Sequence, residues 1–223
     1  YMFSWHGNAD LIVAIIKLFE DLKNSENDII DKGVQAILLV EDSVRFYSTY
    51  LPELYKLILK QSSEFLKETL NEQQRKFRKR SRPKILLATN LDDALQMYTR
   101  YRNNLLGVIS DVGFTVHKGD SADMEKLDAG IDLVKHIKAD NEKMPILLQS
   151  SQDSISAVAK ELGVGFLRKY SKTLMLQLSD YIKEEFGFGD FVFRDANHVE
   201  YGRAANLKEL EAIIREVPDE VLL

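Results

Sequence analysis

The chain has no cysteine among its 223 residues, which excludes disulfides, cysteine-ligated zinc, iron–sulfur clusters and a thiol nucleophile. Histidine is scarce. His6, His117, His136 and His198 show no HExxH-type spacing, so no histidine metal centre is expected. Positive charge is not in excess: 30 lysines and arginines face 35 acidic residues, and the net charge of −5 argues against a general nucleic-acid surface. No apolar run reaches the ~18 residues a membrane span requires. No basic segment precedes an apolar stretch, so no signal peptide is read. What is present is an ordinary globular balance, 45% apolar and 29% charged, at a length able to bury a sizeable core. The ends, Tyr1-Met2-Phe3 and Val221-Leu-Leu223, read like the interior of a longer protein, and a fragment is expected.

Three parts follow from the patterning. Residues 1–33 hold a helix with Asn8 as its cap and a stripe of Leu11, Ile12, Ile15, Ile16, Leu18, Phe19 and Leu22, then a polar linker ending at Gly33. One helix cannot bury that stripe alone. It requires the next domain, an upstream domain or a second copy. Residues 34–187 alternate short apolar runs with helical patterns. The runs are Val34–Val40, Lys84–Ala88, Leu105–Ile109, Ile146–Leu148 and Val164–Leu167. Near-continuous apolar runs suit strands covered on both faces. The alternation predicts a doubly wound α/β fold with a five-stranded parallel sheet, flavodoxin/receiver-like, in the order 2-1-3-4-5. Residues 188–223 predict a hairpin and a helix leading to a downstream domain, with Gly187-Phe-Gly189 as a chain reversal.

In such a sheet, chemistry gathers at the carboxyl ends of the strands. Those ends carry Glu41-Asp42, Asp111, Ser150-Ser151 and Lys169. Clustered carboxylates repel one another unless a hard cation sits among them, and Mg²⁺ suits oxygen ligands. Asp111 is then a candidate nucleophile toward a phosphoryl group. Lys169 and the metal would offset phosphoryl charge, and Ser150 could hydrogen-bond to it.

The segments Ile37-Leu-Leu-Val-Glu-Asp-Ser43, Val108-Ile-Ser-Asp111, Pro145-Ile-Leu-Leu-Gln-Ser150 and Gly165-Phe-Leu-Arg-Lys169 resemble a response-regulator receiver domain over roughly residues 34–187. The resemblance implies that Glu41 and Asp42 are the acidic pair, Asp111 the phospho-acceptor, Ser150 the switch hydroxyl and Phe166 the switch aromatic. It further implies that Lys169 contacts the phosphoryl group and that the Gly113 carbonyl joins Glu41, Asp42 and Asp111 around Mg²⁺, which should bind weakly. A histidine kinase or other phosphodonor, and a cytoplasmic setting, follow from the same likeness. The runs Val40–Ser48, Arg82–Ala88, Leu105–Asp111 and Phe186–Phe193 also resemble the amino-terminal regulatory region of bacterial phosphoenolpyruvate synthase / pyruvate phosphate dikinase-like proteins. That likeness implies an attached catalytic part, absent from this sequence.

Three departures stand out. Tyr170 follows Lys169 where receivers carry a cis proline, so the peptide is either trans with Lys169 displaced, or strained. Val112-Gly113-Phe114 replaces the usual Met-Pro. The loop Thr115–Asp128 is long, charged and expected to be mobile. The first helix of the module is also long, from Val44 to about Lys79 with Pro52 early in it. Its stripe continues through Phe65, Leu66, Leu70 and Phe77. Leu66 and Leu70 are expected to pack on the residue 9–23 helix of the same chain or of a twin, which would allow a homodimer. Arg75–Arg80 reads as a solvated helix end rather than a nucleic-acid surface. Two other functions stay open: a pseudo-receiver acting as a docking or dimerisation module, and an acid-phosphatase-like enzyme. Gly113 stands where the latter would want a second acidic residue.

Overall fold

A computed structural model describes residues 1–5, 7–67, 82–186, 191–194, 200–204, 212, 213 and 215. The chain forms two compact units, Tyr1–Ser179 and Asp180–Leu223.

The apolar runs become strands because most are shielded on both faces, while the last of them, at a sheet edge, buries only Leu167. They are β1 (Ala36–Val40), β2 (Lys84–Ala88), β3 (Leu105–Asp111), β4 (Ile146–Ser150) and β5 (Gly165–Arg168). They form one parallel sheet in the order β2-β1-β3-β4-β5, as the alternation predicted. Every residue of β1, β2 and β4 is buried. Alternate residues face opposite sides of the sheet. Leu38, Val40, Leu86, Val108 and Leu148 enter a core shared with Tyr98, Leu133, Val134 and Ile137. The last three lie on α4 (Ala129–Asp140), and Tyr98 on α3 (Leu91–Tyr101). Asn90 starts α3 with a reciprocal cap: its Oδ1 accepts from Asp93 N at 2.8 Å, and its Nδ2 donates to Asp93 Oδ2 at 2.8 Å. The shorter α5 (Ile155–Glu161) joins β4 to β5, and α6 spans Leu174–Glu184.

Helix α2 is described over Val44–Lys67 and buries Tyr50, Leu51, Leu54, Tyr55 and Ile58. Pro52 lies inside α2 and does not mark its start. Helix α1 (Asp10–Ser25) is preceded by Asn8, whose Oδ1 accepts from Asp10 N at 2.9 Å. It packs on α2 and β2, burying Leu11, Ala14 and Leu18. Each buried leucine contributes on the order of 1.5–3 kcal/mol before ordering costs. The opposite side of α1 leaves Ile12, Ile16 and Phe19 exposed. Leu70 and Phe77 lie outside the described residues, as do the side chains of Phe65 and Leu66, so that expected packing is not part of the description.

The stretch Asn24–Lys32, read from sequence as a linker or turn, is helical instead. α1 runs to Ser25 and a π-helical turn follows over Glu26–Asp31. Ile29 is fully buried in the core, and Asp28 meets Lys84 Nζ at 2.7 Å, so two anchors outweigh the local polarity. The edge strand β2 is covered by side chains. Ile85 N donates to Asp21 Oδ2 at 3.1 Å, and Tyr1 Oη donates to the Leu87 carbonyl at 2.7 Å. An edge so occupied no longer templates strand addition at those two groups.

In the second unit, β6 (Phe191–Arg194) pairs antiparallel with β7 (Glu200–Ala204), the hairpin expected from the sequence. Tyr181 and Phe186 meet edge to face at 5.7 Å. Most of the predicted helix Leu207–Arg215 lies outside the described residues.

Candidate functional site

Four strand ends converge. Glu41 and Asp42 follow β1, Asp111 closes β3, Ser150 closes β4 and Lys169 follows β5. One carboxylate oxygen from each of Glu41, Asp42 and Asp111 lies within 4.8 Å of the others. Two oxygens bound to one Mg²⁺ lie at most about 4.2 Å apart, twice a bond of ~2.1 Å, so a small inward shift lets all three share one ion. Lys169 Nζ lies 2.5 Å from Asp111 Oδ2 and 2.8 Å from Glu41 Oε2. Val112 N donates to Asp111 Oδ1 at 2.7 Å, and Ser43 N to Glu41 Oε1 at 3.1 Å. The backbone N–H of Thr115 favours the charged form of the Asp42 carboxylate.

The electrostatics follow from burial. Glu41 is 1% exposed, and its carboxyl is pushed up to about 8 by burial and by the charge of Asp111, against the pull of Lys169. Burial also raises Asp42, with the charges of Asp111 and Glu125 adding to it. Burial alone would lower Lys169, but Glu41 and Asp111 hold it above the ordinary lysine range. With Glu41 holding its proton up to about pH 8, Asp42 and Asp111 face a single ammonium, and positive charge is still in deficit.

The peptide between Lys169 and Tyr170 is trans, since the described chain has no cis bonds. Lys169 nevertheless reaches both carboxylates, so the expected displacement does not occur. The turn is made instead by Tyr170, in the left-handed region at φ +67°, a conformation that costs a non-glycine residue energy. Lys169 N donates to the Ser150 carbonyl at 2.8 Å, which anchors the turn to β4. Phe46, in the first turns of α2, places its ring centroid 4.1 Å from Lys169 Nζ. Tyr170 meets Phe46 edge-on at 5.3 Å, and Tyr50 stacks on it at 6.0 Å.

The other expected residues are placed as follows. Ser150 is buried, its Oγ accepting from Gln152 N at 3.2 Å, whereas Ser151 is exposed. Phe166 is half-buried on β5 and lines a groove with Ser151, Lys169, Tyr170 and Gln177. Gly113 lies in the bend after β3, with the Glu125 carboxylate against it.

Sequence reasoning missed three participants. Phe46 had a signal: it is the third residue of the helix that begins at Val44, directly after the Glu41-Asp42 strand end, and so overhangs the strand ends. Glu125 had none, because its place depends on how the Thr115–Asp128 loop closes. That loop is fixed at its base rather than free. Phe114 and Lys126 exchange backbone hydrogen bonds of 3.2 and 3.0 Å, Phe114 is fully buried, and the carbonyls of Thr115 and Val116 accept from Leu91 N and Asp92 N. Gly130 is the third. A Cβ there would lie 2.1 Å from the Asp111 carbonyl oxygen and 2.9 Å from Val112 Cα. These are backbone atoms that cannot step aside. Gly130→Ala should therefore cost about 1–3 kcal/mol by overpacking and move Asp111. Urea unfolding and amide shifts of Asp111 and Val112 would measure this, and parent-like values in both would refute the close approach.

No known family profile matches the chain, and no curated protein sequence matches it. Solved structures of similar outline exist. A response regulator receiver domain protein from Clostridium thermocellum is 19% identical, with 69% of this chain and 94% of that one covered, at a TM-score of 0.45. The chemotaxis response regulator CheY4 of Vibrio cholerae is 17% identical, covering 66% and 98%, at 0.39. The non-phosphorylated HemR receiver domain from Leptospira biflexa is 18% identical, covering 69% and 95%, at 0.40.

Proposed function

We propose that residues 34–187 act as a phospho-acceptor receiver, with Asp111 as the acceptor. The observation that carries this reading is the buried lysine shared by Glu41 and Asp111, within a carboxylate cluster drawn from separate strand ends. In the transfer, an Asp111 carboxylate oxygen attacks the phosphorus of the donor. The bond from phosphorus to the donor atom breaks, and the donor keeps the electron pair. An aspartyl-phosphate results. Lys169 moves from the Asp111 carboxylate to the phosphoryl oxygens, a shift its long side chain permits. Ser150 gives a hydroxyl from the neighbouring strand end, and Phe166 responds from the adjoining groove.

The donor set suits Mg²⁺: oxygens only, with net negative charge and Glu41 buried. Glu41, Asp42, Asp111 and the Gly113 carbonyl would hold the ion. When bound, it neutralises charge on the phosphoryl oxygens. The phosphodonor we infer is a histidine kinase or another phosphodonor, in a cytoplasmic setting. Attachment to phosphoenolpyruvate synthase-like catalytic domains rests on the sequence runs quoted above, as do residues 1–33 and 188–223 as flanking segments. A homodimer through α2 rests on the stripe of that helix.

The test is beryllofluoride, a phosphoryl mimic, titrated with and without Mg²⁺ and followed by amide chemical shifts. Binding that requires Mg²⁺ and disappears in Asp111→Asn is the expected result. Absence of binding in the parent chain would reject phospho-acceptance and leave the docking module.

A further inference from the structure

We propose that Glu125, carried by the loop between β3 and α4, supplies a fourth carboxylate to the divalent cation of this site. The inference rests on the receiver reading for the presence of the cation, and it adds a ligand from a segment that no strand end provides.

Three observations support it. First, Gly113 has no side chain, and the Glu125 carboxylate fills the space a side chain would take: a Cβ at position 113 would lie 2.3 Å from Glu125 Oε1. Second, the backbone that carries Glu125 is fixed. The adjacent residue, Lys126, is hydrogen-bonded twice to Phe114, itself next to Gly113. The Lys126 ammonium is committed to Asp132 and Asp128, and Glu125 makes no hydrogen bond or ion pair among the described residues. Third, the cluster already holds a group that calls for a cation. Glu41 Oε2 is buried and accepts no well-directed hydrogen bond, although Lys169 Nζ lies 2.8 Å away. Like charges gathered around such a group need positive charge beyond one lysine. Glu125 lies outside the group of three oxygens within 4.8 Å of one another, so its carboxylate joins the cation through one of the waters that Mg²⁺ retains.

The test is direct titration of the whole chain with Mg²⁺, and separately with Mn²⁺, by calorimetry. Glu125→Gln should weaken binding roughly tenfold, the lower range for loss of an outer partner of a metal site. Gly113→Ala keeps the charge but displaces the Glu125 carboxylate, and its backbone conformation suits alanine. It should weaken binding similarly, and the double variant should be no weaker than Glu125→Gln alone. Asp42→Asn separates the two levels of the reading. If it abolishes binding while Glu125→Gln leaves affinity unchanged, Glu125 is not a ligand and the receiver site stands. If neither variant alters the affinity, the cation site itself is refuted. Tighter binding in Glu125→Gln would also overturn the proposal. Glu125 is exposed, so the variant should melt like the parent.

Discussion

Asp21→Ala should lower the unfolding free energy by about 3–5 kcal/mol, the cost of breaking a buried ion pair by removing one partner. Asp21 is fully buried, and its carboxylate is the centre of a cluster that ties α1 to the sheet. Arg82 Nη2 donates to Oδ1 at 2.6 Å and Nη1 to Oδ2 at 3.0 Å. Tyr55 Oη donates to Oδ2 at 2.8 Å, and Ile85 N donates at 3.1 Å. Lys84 Nζ lies 3.6 Å away. Arg82 also lies over the Tyr55 ring at 5.6 Å. Burial works against the Arg82 cation, but the bonds to Asp21 hold its proton more firmly than usual. Without the carboxylate, a buried guanidinium, a phenol and a strand N–H all lose their acceptor together. Asp21→Asn keeps one acceptor oxygen and should cost less. Removing both charges, as in Asp21→Leu with Arg82→Met, should recover part of the loss. Urea unfolding decides the matter. A loss under about 1 kcal/mol for Asp21→Ala would show that the cluster contributes no more than an exposed ion pair.

Lys169→Met should give a stability loss that depends on pH. At pH 8 the loss should be about 3–5 kcal/mol, because Glu41 and Asp111 lose the cation between them. The sign follows from Glu41. Its folded value, about 8, lies above its unfolded value near 4.5, so the folded chain holds the proton more tightly. Stability from such a group is present at low pH and is lost as pH rises through that window. Lys169 opposes the upward shift. Removing it strengthens the penalty at high pH and affects Glu41 little near pH 4.5, where the folded residue is protonated with or without the lysine. Urea unfolding at pH 5, 6.5 and 8 should therefore show a gap between variant and parent that widens with pH. A gap constant across the series would mean that Lys169 does not balance these carboxylates in the folded protein. Loss of the Mg²⁺-dependent beryllofluoride response is expected in the same variant.

The strands were legible because two-sided burial leaves unbroken apolar runs, and their short length between longer helical patterns separates them from buried helices. The strand ends were legible for a related reason: chain order and parallel topology together send Glu41, Asp42, Asp111 and Lys169 to one edge. Asn24–Lys32 was misread because its polarity is local, whereas the burial of Ile29 and the pairing of Asp28 with Lys84 involve distant partners. Asp21 was hidden in the same way. An aspartate inside an apolar helical stripe carries no sign that Arg82 and Tyr55 will meet it.

Sequence alone determined the α/β alternation, the absence of thiol chemistry, and which acidic and basic residues end the strands. These follow from composition and short-range periodicity, which are properties of neighbours along the chain. Tertiary structure alone decided that Lys169 bridges Glu41 and Asp111 through a trans turn at Tyr170. It also decided that Phe46 lies against that lysine and that the Phe114–Lys126 closure brings Glu125 to Gly113. Each of these is a contact between residues far apart in sequence. Loop closure and burial set such distances, and no local pattern encodes them.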